Sequence, residues 1–248
     1  MITNNISTKK DDMTAEQQLA KYLDIYLYNR LPEHFKKFTR ISDKVHQMQG
    51  IDFTIDYDDN GSHFIDEKAQ LHYMDICLNT FAFEINFIGR DDFLHDGWLF
   101  NHDLKTDAYM LIWPQETVYH KAIISIDKKY RRTKIRNILK SLDFNDFETV
   151  ECYLIKRDSI KGFLEDNGWD EQRIFDKADE LRAKRQFYKS PADDNIDSFY
   201  FYFSSPDIYR EAPVNIVIRK NVLRRLAYKR FIVKKSGVHL EINDKAFL

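Results

Sequence analysis

QMQGIDFTIDYDDNGSHFIDEKAQ, residues Gln47 to Gln70, is the stretch on which the reading of the chain turns. Ile51, Phe53, Ile55 and Tyr57 alternate with Asp52, Thr54 and Asp56, and Ile65 and Ala69 alternate with Asp66, Lys68 and Gln70. Period-two alternation on both sides of Asn60-Gly61 predicts a β-hairpin with one face in the core and one polar. A two-residue Asn60-Gly61 turn would pair Asp59 with Ser62 and put Asp52 across from Ala69. A three-residue Asp59-Asn60-Gly61 loop, with Gly61 left-handed in a bulge, pairs Asp58 with Ser62. Only the second brings Ile51, Phe53 and Ile55 onto the face of Ile65 and Ala69. It sets Asp52 opposite Lys68, with Asp66 diagonal to Asp52 at about 7 to 8 Å.

Two carboxylates at that separation repel unless a cation lies between them. Hard oxygen donors suit Mg²⁺, which takes a few carboxylates and keeps water on its other positions. Such a water can serve as a nucleophile, with Lys68 placed to orient it or to steady developing negative charge. The competing reading is an amphipathic hairpin whose Asp52–Lys68 contact is an exposed ion pair worth at most about 1 kcal/mol.

Working outward, "TAEQQLAKYLDIYLYNRLP" predicts a helix from Thr14, with Thr14 and Gln17 as a capping box, Glu16 in the first turn and Pro32 as the stop. After extended segments near residues 45–57 and 63–70, "NTFAFEINFI" (Asn79–Ile88) alternates as a strand. "TDAYMLIWP" has the near-continuous apolar run of a buried central strand, with "YHKAIISI" as a candidate partner. From Asp127 the period becomes helical, with Lys128, Arg132, Arg136 and Lys140 on one side of the helix and Ile135, Ile138, Leu139 and Leu142 on another. A strand near 149–155, helices from Ser159 and Asp170, a loop at "SPADDNID", strands at "FYFYFS" and "VNIVIR" and a basic helix in "KNVLRRLAYKR" complete the reading.

The 248 residues, 43% of them hydrophobic, suffice for a packed core. Near the N-terminus no apolar leader is evident, and no run approaches the roughly 18 apolar residues of a membrane span, so no membrane association and a cytoplasmic location are expected. Cys77 and Cys152 are far apart and outside any CxxC spacing, as befits reduced structural cysteines. The seven glycines are too scattered for GxGxxG or GxxxxGK[ST], which argues against dinucleotide and P-loop enzymes. Residues 1–115 carry 11 Lys+Arg against 19 Asp+Glu, and residues 116–248 carry 27 against 21. An acidic front half and a basic back half suit a protein that holds a cation in one place and a polyanion in another.

At "GID" and "IDEKAQ" the sequence resembles the PD-(D/E)XK nuclease superfamily, whose pattern is an acidic residue on one strand and, on the next, an acidic residue, any residue and a lysine. Here Asp52, Asp66, Glu67 and Lys68 fill those positions, with Ile51 where the motif name has proline. The resemblance covers roughly residues 14–113. It implies an α/β chain with a restriction-endonuclease-like mixed β-sheet core flanked by helices over residues 1–150, with residues 151–248 a mixed α/β extension packed on it as one domain. It further implies Asp52 and Asp66 as Mg²⁺ (or Mn²⁺) ligands, the Glu67 backbone carbonyl and Glu16 as additional ones, Lys68 at the attacking water and Gln70 at the polar position after the lysine. The expected activity is hydrolysis of phosphodiester bonds, in DNA first, by a family whose members often act as homodimers. The Lys128–Lys140 stripe and the segment from Arg219 to Lys235, which includes Arg224 and Arg225 and holds eight Lys+Arg, offer surfaces for phosphates. The alternatives are a nucleic-acid-binding or interaction protein that keeps the fold without turnover, and a metal-dependent hydrolase of another substrate.

Overall fold

In the computed structural model, residues 9–56, 62–190, 198–204 and 210–243 are described. The chain opens with helix α1 (Lys9–Tyr26), which buries Ala15, Leu19, Tyr22 and Leu23 at helical spacing. Strand β1 (Lys36–Arg40), the short helix α2 (Lys44–Met48), β2 (Phe53–Asp56) and β3 (Ser62–Ala69) follow. Then come β4 (Thr80–Ile88), β5 (Leu94–Asp96) and β6 (Ala108–Thr117), helices α3 (His120–Ile124) and α4 (Lys128–Leu139), and β7 (Phe147–Lys156). The remainder is α5 (Arg157–Asp166), α6 (Glu171–Ala183), β8 (Tyr188–Lys189), β9 (Phe199–Phe203), β10 (Val214–Arg219), α7 (Lys220–Leu226), β11 (Lys229–Lys234) and β12 (Gly237–Ile242).

Two sheets organise these elements. The first runs β1-β2-β3-β6-β7-β11-β12, with β3 and β6 parallel and the other neighbours antiparallel. The second runs β5-β4-β10-β9-β8 and is antiparallel throughout. Strand β6 explains the layering: Ala108, Met110 and Ile112 join the core shared with α1 and α4, whereas Tyr109, Leu111 and Trp113 join the core shared with the second sheet and α5, α6 and α7. Both of its faces are buried, which is why its sequence is apolar without alternation. Because β3 lies beside it in register, Ile65 stays level with Ala108, while Asp66 and Lys68 stand level with Tyr109 and Leu111 on the side of the second sheet. Strands from residues 151–248 complete both sheets. Among the described residues, no helix is long and apolar enough to cross a membrane.

Several expectations need correction. Helix α1 begins by Lys9, so Thr14 and Gln17 are not a capping box: the polar run before Thr14 continues the helix instead of ending it. Residues 44–48 are helical, not extended, because Asp43 accepts a hydrogen bond from His46 N at 3.0 Å and starts a turn. Strand β1 was not anticipated. "NTFAFEINFI" is a strand, but it belongs to the second sheet. "YHKAIISI" forms α3 and not a partner for β6, which pairs with β7. The basic segment after Arg219 divides into α7 and β11, with Lys229 at the start of the strand and buried. The predicted Asp59-Asn60-Gly61 loop and most of "SPADDNID" lie outside the described residues.

The hairpin register differs as well. Phe53 pairs with Ile65, Thr54 with Phe64, Ile55 with His63 and Asp56 with Ser62. Extended by one residue, this ladder sets Asp52 against Asp66, not against Lys68. The shift is two residues, so each side chain keeps its face; a period of two cannot separate registers that differ by an even number.

Candidate functional site

Asp52 enters the site from a sharp reversal. Gly50 has φ +73°, Thr106 Oγ1 donates to its carbonyl at 2.7 Å, and a Cβ on it would lie 2.6 Å from that hydroxyl oxygen. Backbone conformation and space therefore both call for glycine. Asp52 N then donates to Ile65 O at 2.9 Å, and Asp52 Oδ2 accepts from Glu67 N at 2.7 Å. The carboxylate is fastened to β3 beside that of Asp66.

Asp66 is 3% exposed. Its Oδ1 accepts from Lys68 Nζ at 2.7 Å, and its Oδ2 is buried, accepts no hydrogen bond among the described residues and has the Asp52 carboxyl as neighbour. Burial lifts its pKa to about 7; Lys68 draws it down, and the neighbouring Asp52 adds to the rise. Burial works against the charge on Lys68, but Asp66, Asp52 and Glu16 outweigh it and keep the ammonium protonated. Lys68 Nζ also lies 5.6 Å from the centre of the Trp98 ring. Gln70 donates from Nε2 to Thr80 O at 2.8 Å, and its Oε1 is again buried without a partner. Glu16 is exposed on α1 and lines the same cleft.

Glu67 points its side chain away from Asp66, as alternation on a strand requires. Tyr28 Oη donates to its Oε1 at 2.6 Å, and Arg40 bridges its Oε2 to Asp24. Burial raises the Glu67 pKa, while Arg40 and Tyr28 pull it back. Burial also opposes the Arg40 charge, but Glu67, Tyr28 and Asp24 outweigh it. These groups open into one cleft of about 990 Å³ between α1, the Arg40–Ser42 segment, α2, the hairpin, the single-turn helix Leu71–Tyr73, Phe81–Ala82 and Trp98.

The structure thus gathers Asp52, Asp66, Lys68, Gln70, Glu67 and Glu16 at one cleft. Helix α4, capped by Asp127 through Lys129 N at 3.0 Å, exposes Lys128, Arg132, Arg136 and Lys140 and packs on α1 and the Leu71–Tyr73 turn. Arg224 pairs with Glu241 at 3.3 Å, and Arg225 is exposed; both lie on α7, which packs on β7 and β10, and neither lines the cleft.

Sequence reasoning missed Arg40, Tyr28, Asp24, Trp98 and Glu84. Burial raises the Glu84 pKa to about 7, Glu211 adds to the rise, and Lys68 is near enough to lower it. Glu84 had a legible signal, a lone acid within the apolar "TFAFEINFI"; no spacing announces Arg40 or Trp98. Among the described residues, no group of three or more His, Cys, Asp or Glu is arranged to hold a metal ion. A cation here would rest on two carboxylates plus water, a donor set that fits Mg²⁺, and Asp66 Oδ2 is the buried oxygen it would meet. Fold and site together define a mixed α/β protein with a cleft lined by five carboxylates, in which Lys68 is paired with Asp66. Comparison with protein-family models, with curated proteins and with solved structures returned no match.

Proposed function

We propose that the chain is a Mg²⁺-dependent nuclease of restriction-endonuclease-like fold that hydrolyses phosphodiester bonds in DNA. The observation that carries the reading is the buried Asp66 Oδ2 beside Asp52, with Lys68 Nζ 2.7 Å from the other Asp66 oxygen. Two carboxyls held side by side at a buried position, one of them raised to about 7, form a place that a cation would take in exchange for the proton. The order of α1, the β1-β2-β3 meander and a fourth strand parallel to β3 supports the reading, with β1 in the place expected of Asn79–Ile88. The link from β3 to β6 passes through the Leu71–Tyr73 turn, β4, β5 and loops.

Asp52 and Asp66 would hold the Mg²⁺, with Glu16 and the Glu67 carbonyl as additional oxygens. The chemistry a bound Mg²⁺ supplies is Lewis acidity toward phosphoryl oxygen and a more acidic water. Lys68, kept protonated, orients the incoming water and offsets charge building on the phosphate. Gln70 Oε1 accepts a hydrogen bond from a water or a substrate group that enters the cleft.

The test is cleavage of supercoiled plasmid, linear duplex and single-stranded DNA in Mg²⁺, Mn²⁺ or EDTA, comparing wild type with Lys68→Ala and Asp66→Ala. Metal-dependent cutting by wild type only, with circular dichroism unchanged in the variants, is the expected result. DNA binding that persists in EDTA, with no cutting and no dependence on Lys68, would instead establish a binding protein that keeps the fold.

A further inference from the structure

The segment "FYFYF" has no part in the cleft, yet it places two half-buried tyrosines on the face of the second sheet turned away from its core. In β9 the alternation sends Phe199, Phe201 and Phe203 into the core, and Tyr200 and Tyr202 to the opposite face. Pairing fixes their neighbours. One rung across the second sheet reads Glu84–Asn215–Tyr202–Lys189, and the next reads Ala82–Val217–Tyr200. Arg219 follows on the same face of β10. Phe187, 52% exposed, meets Tyr202 edge-on at 5.3 Å, and Lys189 Nζ lies 5.0 Å from the Tyr200 ring centre.

This surface is continuous with the candidate catalytic cleft. Ala82 lines the cleft, and Glu84 is close enough to Lys68 for each to feel the other's charge. Tyr73, 42% exposed, also lines the cleft. Two strand spacings, about 10 Å, separate Ala82 from Tyr200. From the tyrosine pair on β9, the two rungs lead across β10 to Ala82 and Glu84 on β4, with Ala82 at the cleft.

We propose that this face of the second sheet is a stacking platform for an unpaired DNA strand, which it leads toward Asp52, Asp66 and Lys68. The proposal rests on the nuclease reading for the fate of the strand, not for its binding. The spacing favours a single strand. Tyr200 and Tyr202 stand about 6.8 Å apart along β9, twice the roughly 3.4 Å rise per nucleotide in one strand of a duplex. Each ring can therefore meet a base that has separated from its neighbour. A duplex hides its base faces inside the stack, and a flat sheet cannot reach them, whereas unpaired bases offer theirs to aromatic rings whatever their identity. Lys189 and Arg219 flank the rings and supply positive charge for the phosphates between stacked bases, and Val217 gives the rings an apolar floor. The Asn215 amide stands between the acidic and aromatic ends of its rung, where base edges would pass.

The experiment measures fluorescence anisotropy of labelled dT12 and of a 12-base-pair duplex with the full chain in EDTA. Wild type should prefer the single strand. Tyr200→Ala and Tyr202→Ala should each weaken dT12 binding about tenfold or more, the usual cost of losing one stacked ring. Tyr200→Phe and Tyr202→Phe, which keep the ring, should bind as wild type, and circular dichroism should be unchanged in all four. Absence of a single-strand preference, or alanine variants that bind like wild type, overturns the platform. Binding lost in the alanine variants of a wild-type protein that cuts nothing upholds the platform and removes the catalytic reading alone.

Discussion

Asp66 is the residue at which the stability of the fold and the chemistry of the cleft meet. Its carboxyl is raised to about 7, chiefly by burial, so the folded chain binds this proton more tightly than the unfolded chain does. The advantage is full below the unfolded carboxylate value and is lost as pH rises through about 7. Glu84 is raised to about 7 for a similar reason and acts with the same sign. In EDTA the melting temperature should therefore fall between about pH 6 and pH 8, by about 2–8 °C for a loss of roughly one to two kcal/mol. Asp66→Asn and Glu84→Gln should each flatten part of that fall, and Mg²⁺ should reduce it in wild type but not in Asp66→Asn. A melting temperature constant across that range would show that neither carboxyl is raised. Gly50 gives a second residue-scale prediction. Gly50→Ala forces a Cβ into Thr106 at a left-handed backbone position, and should cost about 1–3 kcal/mol in urea denaturation while displacing Asp52. The identities of Asp52, Asp66 and Lys68, and the face they share, were legible in the sequence because alternation is a local property. Their electrostatic state was not, since it depends on burial beneath strands far away in the chain.

At the scale of elements, α1, β1 and β3 are fastened behind the cleft by Asp24, Arg40, Tyr28 and Glu67. The Arg40 guanidinium also lies 5.4 to 5.5 Å from the ring centres of Tyr28, Phe38 and Phe53, and the Glu67 side chain is only 11% exposed. Removing one member of a sheltered pair leaves the other charged without a partner. Arg40→Met should therefore cost about 3–5 kcal/mol, whereas Arg40→Met combined with Glu67→Met should recover most of that loss. A double-mutant cycle by urea denaturation measures it, and additive losses would mean that the two groups do not interact. Because Glu67 N also donates to Asp52 Oδ2, loosening Glu67 should be felt at the site. No pattern in the sequence joins Arg40 to Glu67, and β1 itself, "KKFTR", is too short and polar to announce a strand. The hairpin register escaped for a different reason. Apolar alternation chose the faces correctly but was blind to a slide of two residues, and that slide is what brings Asp52 level with Asp66.

For the molecule as a whole, the two halves of the sequence are not two halves of the fold. Strand β10 pairs with β4 and β11 with β7, so residues beyond 150 close both sheets, and β4 carries one wall of the cleft. The excess of Asp+Glu in residues 1–115 and of Lys+Arg in residues 116–248 therefore becomes a spatial arrangement, with the carboxylate-lined cleft edged by α4, which packs on two of the elements that line it. Sequence periodicity identified the α4 stripe and the α7 arginines as equal candidates for binding phosphates, because it cannot tell which helix lies beside the cleft. Packing separates them. In EDTA, duplex binding by Lys128→Gln, Arg136→Gln, Lys140→Gln chains should weaken, and the slope of log affinity against log salt should shrink by up to about 0.9 for each phosphate left without its cation. Arg224→Gln with Arg225→Gln should leave both affinity and slope near wild type, since α7 packs on β7 and β10 and Arg224 is already paired with Glu241. Anisotropy titrations across a salt series decide between the two helices. A slope that falls with the α7 changes and not with the α4 changes would move the phosphate track to the other end of the first sheet and away from Asp52 and Asp66.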